Sequence, residues 1–349
     1  MKAWCVRGQG DPWDVFELGD FPEPSHEAMA GYALDIEGLR PVRPGESPIE
    51  DYAFMRVHRA ALAWPDVTMC TGAYPVPIPR PYVSGQEAVG VVEDASPSLQ
   101  ALVGKRVVAF TPQPFGSFAP RAVVTAGSVW ECPEAFDDDQ AAAFFIAAHT
   151  AHQAVYRRGQ VAAGETVLVL GAAGGVPSAA VQLAVAAGAT VIAVAGGPEK
   201  IEFCRALGAH YAIDHRAGDF VAAVRDVTDG RGVDVIIDFV QGTQGSAARP
   251  LLVVEGRHVM AGHAGGLQPI HPNEFYIQNW TLVGCCMGSG YGERLMEVEQ
   301  QAHDALLELV AQGAYRPQVG RVVDFDEIPI ALKDLVERRA RGRIVARIG

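Results

Sequence analysis

Thr166-Val167-Leu168-Val169-Leu170-Gly171-Ala172-Ala173-Gly174-Gly175-Val176-Pro177 is the stretch that decides the fold. Its first five residues are β-branched and aliphatic, the composition of a strand buried on both faces of a parallel sheet. Pro177 to Ala187 follows as an Ala-rich run with Gln182 as its only strongly polar residue, the pattern of a buried helix. Between them, small residues let a backbone approach closely, and a helix start offers amides and a positive dipole end to an anion. By itself such a turn is equally a tight strand-to-helix connection. The flanking segments decide between these readings.

Downstream, Thr190–Ala195 reads as a second strand, and Pro198–Leu207 as a helix that starts on proline and ends at Gly208. Further strands are predicted at Ala212-Ile213, Val233–Asp238, Gly256–Ala261 and Thr281–Cys286. Strands alternating with helices predict a parallel sheet covered on both faces, and six in this order fit the doubly wound dinucleotide-binding (Rossmann) fold. Val176 to Ala195 has the length of a membrane span. It contains Pro177, Gln182, Gly188 and Thr190 and is divided by Ala187-Gly188-Ala189, so it reads as helix then strand.

The first 140 or so residues are Pro- and Gly-rich, with short β segments such as Ala88–Glu93 and Lys105–Phe110, and predict an antiparallel, partly barrel-like β domain. After residue 288 the pattern predicts a helix over Glu293–Gln312, a strand at Val319–Val323, a helix near Ile330–Arg341 and a strand at Arg343–Ile348, a tail expected to return to the first domain. Residues 25–51, with Pro41, Pro44, Gly45 and Pro48, read as an irregular surface excursion or lid.

Composition narrows the function. With 349 residues, 49% of them apolar, the chain has material for two domains and is not disordered. A net charge of −13 argues against nucleic acid and anionic membranes as partners. The six cysteines, Cys5, Cys70, Cys132, Cys204, Cys285 and Cys286, show no C-x-x-C spacing. Met1 to Gly8 lacks an apolar signal core, so the expected location is the cytoplasm.

At the end of the second strand an NAD site places an acidic residue on the ribose hydroxyls. Here the sequence is Ala195-Gly196-Gly197-Pro198-Glu199-Lys200. Gly196 and Gly197 leave room, Lys200 supplies charge for a 2′-phosphate, and His215 and Arg216 follow the third strand. The other reading is of ordinary exposed helix-start residues. NADPH is expected over NADH.

A wider set of residues carries a resemblance. It comprises Met1-Lys2-Ala3, Asp66, Gly72-Ala73-Tyr74-Pro75, Gly85 to Val92, Gly104 to Val107, Thr150-Ala151, Gly171 to Val176, Leu207-Gly208-Ala209, Gly230 to Val235 and Gly342 to Val345. In order and spacing these are similar to the medium-chain dehydrogenase/reductase superfamily, and within it to the zinc-free quinone oxidoreductases related to zeta-crystallin. Only residues 25–51 fall clearly outside. The resemblance implies an α/β protein in which a Rossmann domain, residues 139–287, is inserted in a GroES-like, mainly β catalytic domain, residues 1–138 and 288–349. The active site would lie in the cleft between them, and the sixth strands would pair across a homodimer. It implies NADPH contacts at Thr150, Gly171, Ala173, Gly174, Gly175, Val176, Pro177, Gly196, Lys200, His215, Val240, Gly262 and Arg343. Asp66, Thr68 and Tyr74 become the candidate catalytic residues, acting on a small-molecule substrate.

The departures matter as much. Zinc-dependent members carry Gly-His-Glu where this chain has Gly85-Gln86-Glu87, and His149 and His152 lack a third ligand. Without a metal the acceptor must spread its own developing charge, which favours quinones and activated double bonds (enones, enoyl compounds) over isolated carbonyls. Ala63 replaces a family Asn, Thr68 stands where some quinone reductases have Tyr, and Pro177 removes one amide from the phosphate loop. Tyr74 either presents its hydroxyl to substrate or packs as an aromatic wall. The alternative function is a non-catalytic NADP(H)-binding structural or sensor protein.

Overall fold

The computed structural model describes residues 1–35, 38–288 and 291–349, so Ile36 and Glu37 of the 25–51 stretch lie outside the described residues. The chain divides into two compact units: Met1–Ile146 with Gly288–Gln301 and Val319–Gly349, and Ala147–Met287 with Ala302–Gln318.

The second unit is a parallel sheet of β1 (Thr166–Leu170), β2 (Thr190–Ala195), β3 (Tyr211–Asp214), β4 (Val233–Asp238), β5 (Leu252–Met260) and β6 (Thr281–Gly284), in the spatial order β3-β2-β1-β4-β5-β6. Val167 to Leu170 and Val191 to Val194 are fully buried, as their unbroken apolar runs require. The order reverses between β1 and β4, and the crevice at their carboxyl ends is where this fold takes its ligands. β6 stops at Gly284, short of the expected Cys286, because its partner β5 runs out at Met260, opposite Gly284. The helix Phe220–Val227, capped by the Asp219 carboxylate on the Val221 and Ala222 amides, was not expected from the sequence.

The first unit is built on Tyr52–Leu62, an eleven-residue strand that pairs with Glu87–Ala95, Arg121–Thr125 and Arg343–Arg347. Val319–Val323 lies parallel to Arg343–Arg347, so both late strands return to this sheet. Between them the helix expected to reach Arg341 runs from Ile328 to Val336 and ends where Arg338 turns to φ 58°. A three-stranded sheet of Phe16–Asp20, Lys2–Val6 and Tyr82–Val83 completes the unit.

The 25–51 stretch is anchored rather than loose. It holds a short helix, His26–Met29, and two paired strands, Tyr32–Asp35 and Gly38–Pro41. Met29 and Leu39 are buried in the unit's core. Arg40 Nε reaches Asp35 at 2.6 Å, and its two terminal nitrogens reach Glu46 at 2.6 and 2.8 Å. Among the described residues no helix is long and apolar enough to cross a membrane.

Candidate functional site

The loop after β1 is shaped by glycine. Gly171 has φ 69°, and a Cβ there would stand 2.8 Å from Val240 Cγ2. Ala172 N–H donates to Val194 O at 3.0 Å and Gly174 N–H to Gly171 O at 2.9 Å, which fixes the turn. The helix Gly175–Ala186 begins on Gly174, and Ser178 N–H is already bonded back to Gly174 O. The amides of a first helical turn have no partner within the helix. Pro177 contributes none, so the first-turn amides at this end are those of Gly175 and Val176. Ala173 and Pro177 are buried beside them.

A second feature sits at the ends of β2 and β3. A Cβ at Gly196 would lie 2.8 Å from both His215 Nε2 and Arg216 Nε, so the bare glycine is what admits these two side chains. Gly197 has φ 96°. Its N–H and that of Arg216 both donate to Asp214 Oδ1, at 2.9 and 2.8 Å. Those hydrogen bonds hold the Asp214 carboxyl below its usual range. Lys200, half-buried, stands in the first turn of the helix Pro198–Ala206, bonded through its amide to Gly197 O at 3.1 Å.

At the ends of β4 and β5, Val240 fills the space Gly171 leaves open, and Gly262 lies so near Phe239 O that a Cβ would come within 2.9 Å. The structure therefore places Gly171, Ala173 to Pro177, Gly196, Lys200, His215, Val240 and Gly262 in loops and helix starts at the carboxyl ends of the parallel strands. Thr150 lies on the helix Phe145–His152, with its hydroxyl 3.8 Å from Met287 Sδ. Next to it His149 is fully buried and shares a 3.2 Å hydrogen bond with His303. Burial pushes both imidazoles down to about 3, so this pair is neutral.

The candidate residues of the first unit are differently placed. Arg343, expected as a cation for the cofactor, is instead half of a buried ion pair with Glu87. Glu87 is completely buried and also accepts the Ile146 amide at 2.8 Å. Burial pushes its carboxyl up to about 7 against the pull of Arg343. Asp66 is completely buried as well. Its Oδ2 accepts the Ala63 amide at 2.8 Å, and its Oδ1 accepts Ser84 Oγ and the Gly85 amide, each at 2.9 Å. Burial raises it to about 6 in spite of those bonds. The candidate acid is therefore a residue that positions the start of the helix Trp64–Thr71 and the Gly85-Gln86-Glu87 segment. Thr68 is buried, with its hydroxyl 3.3 Å from Pro65 O. Its carbonyl gathers the amides of Gly72, Ala73 and Tyr74 at the helix end. Tyr74 is half-buried and packs on the core. Gln86 is 4% exposed, with its amide 3.9 Å from the weak acceptor Met69 Sδ.

Among the described residues, no group of three or more His, Cys, Asp or Glu side chains is arranged to hold a metal ion. Sequence reasoning missed the Glu87–Arg343 pair and a second buried pair, Asp238–His258, because each joins residues far apart in the chain.

A six-stranded doubly wound sheet with a glycine-cleared crevice defines the dinucleotide-binding fold class. A family model described as zinc-binding dehydrogenase matches residues 175–310. Quinone oxidoreductase-like protein 2 of Bos taurus is 28% identical, over 88% of this chain and 86% of that protein. A probable oxidoreductase from Mycobacterium abscessus is 30% identical, covering 99% of this chain and 98% of its own, with a TM-score of 0.81. The quinone oxidoreductase of Thermus thermophilus, also solved in complex with NADPH, matches at 30% identity over 100% of both chains, with a TM-score of 0.79. The chain belongs to the medium-chain dehydrogenase/reductase superfamily, on its quinone oxidoreductase branch.

Proposed function

We propose that this protein is an NADPH-dependent oxidoreductase that reduces a quinone or an activated carbon–carbon double bond without zinc. The observation that carries the cofactor choice is the basic corner at Gly196, where a missing Cβ leaves space beside His215 and Arg216. Lys200 stands one helical turn away. Bound there, NADPH supplies the hydride. The protein's own part is to hold it: Gly175 and Val176 amides at the pyrophosphate, Lys200, His215 and Arg216 at the 2′-phosphate, and Val240 and Gly262 at the nicotinamide side. Gln86, an amide where zinc-dependent relatives have a histidine, supports a reaction in which the conjugated acceptor delocalises its own charge.

The decisive measurement is an NADPH-oxidation screen across quinones, enones and enoyl thioesters. Turnover with at least one class is expected. Tight NADPH binding with no turnover anywhere would replace this reading with a non-catalytic, cofactor-bound protein. Lys200→Ala and Arg216→Ala should each weaken NADPH binding by about tenfold, the worth of one charge-assisted contact, while NADH binding changes less than about twofold. Equal losses for both cofactors would end the 2′-phosphate assignment.

The edge strand β6 is the proposed pairing element of a homodimer. Leu282, Tyr276 and Ile277 are exposed near that edge, and an open strand edge is an aggregation hazard unless covered. Val283→Pro should give a monomer in sedimentation velocity, and a wild-type monomer would refute the pairing.

A further inference from the structure

We infer that Asp238 and His258 form a positioning dyad for the dinucleotide, an inference that rests on the cofactor reading above. Asp238 closes β4 and His258 lies on β5, two residues before Met260, the partner of Asp238 in the ladder. Both are buried, and His258 Nε2 stands 2.9 Å from Asp238 Oδ2. The other carboxylate oxygen, Oδ1, accepts the amides of Val240 at 2.8 Å and Gln241 at 2.7 Å.

These bonds hold the backbone in a shape it would not choose. Gln241 sits at φ 53°, ψ −139°, a region that side-chain-bearing residues avoid. The constrained loop is then tied across to the end of β5. Gln241 Nε2 donates to Gly262 O at 2.6 Å, and Gly265 N–H donates to Val240 O at 2.7 Å. Val240, fixed at the centre, occupies the space that a Cβ on Gly171 of the phosphate loop would need. Gly245 has no side chain where one would strike the Asp238 carboxylate, so the helix Gly242–Ala248 is cut to admit the charge.

The tautomer of His258 follows from its surroundings. Its Nδ1 is buried with no hydrogen-bond partner among the described residues. A proton there would be stranded, so the ring carries its proton on Nε2 and donates it to Asp238. A buried carboxylate is costly to desolvate. Here it is retained at the carboxyl ends of β4 and β5, where the three loops that would face the dinucleotide are locked to one another.

Three measurements test the dyad. In nitrogen-15 spectra of histidine-labelled wild type, the imidazole signal that vanishes in His258→Gln should be that of a locked Nε2–H tautomer. Folded His258→Leu should bind NADPH about tenfold more weakly, with the acceptor KM unchanged, and His258→Gln, which keeps a donor, should recover most of the loss. If His258→Leu does not fold, Gln241→Ala, which leaves the buried pair intact and cuts the tie to Gly262, must weaken NADPH severalfold. Wild-type NADPH affinity in folded His258→Leu or in Gln241→Ala, or an Nδ1–H tautomer for the signal that His258→Gln removes, overturns the inference. Failure of the wild type itself to bind NADPH is a separate result, visible before any variant is made, and removes the cofactor reading on which the dyad rests.

Discussion

The two units handle charge in opposite ways. In the β-rich unit the charges within the motifs that carry the resemblance are taken out of water: Asp66, Glu87 and Arg343 are all at or below 5% exposure. In the doubly wound unit the corresponding basic side chains stay near the surface, with Arg216 exposed and Lys200 and His215 half-buried around a bare glycine. The first arrangement shapes a backbone, since each carboxylate is bonded to amides. The second keeps positive charge available to a ligand. A motif residue therefore says little about its role until its burial is known.

The sharpest way to break this contrast is to remove one charge from each side. Arg343→Met strands Glu87 in the interior and should cost about 3–5 kcal/mol in urea unfolding. Lys200→Ala should stay within about 0.5 kcal/mol of wild type while losing NADPH affinity. A small loss from Arg343→Met would mean that Glu87 takes up a proton once its partner is gone.

Acid separates the units next. Glu87 titrates near 7 folded against an ordinary 4.5, so its stabilising contribution is fully present below 4.5 and is lost as pH rises through 7. His149 and His303 titrate near 3 against an ordinary 6.5, so the stability they contribute is present above 6.5 and is lost as pH falls toward 3. From pH 7 to pH 5, hydrogen-exchange protection corrected for intrinsic rates should rise in Tyr52–Leu62 and fall in Thr166–Leu170. Parallel changes in both strands would contradict these assignments.

Smaller effects test the doubly wound unit alone. Gly171→Ala combines a left-handed φ with a close approach to Val240 and should cost about 1–2 kcal/mol, together with dinucleotide affinity. Asp219→Ala, which removes only a helix cap, should cost about 1 kcal/mol and leave cofactor binding unchanged.

How far the sequence could be read follows from the same division. β1 and β2 were legible because each is an unbroken apolar run closed by glycine, a purely local signal, whereas β5, broken by Glu255, Gly256 and Arg257, was expected only from Gly256 onward and in fact begins at Leu252. Tyr52–Leu62 was not legible, because Arg56, His58 and Arg59 interrupt its apolar pattern. The glycines at 171, 174, 175, 196 and 197 announced a cradle through their own conformational freedom. Arg343 announced only a charge, and its partner lies 256 residues away. Asp238 carried no local mark, since its meaning depends on a histidine brought alongside by sheet register.

The hairpin of Tyr32–Asp35 and Gly38–Pro41 carries its own fastening. Arg40 grips Asp35 and Glu46, all three within residues 25–51. Such a piece behaves as a cassette: its clasp travels with it, while Met29 and Leu39 supply its footing in the core. Because closing a longer loop costs little, the strands on either side need no change to accommodate it.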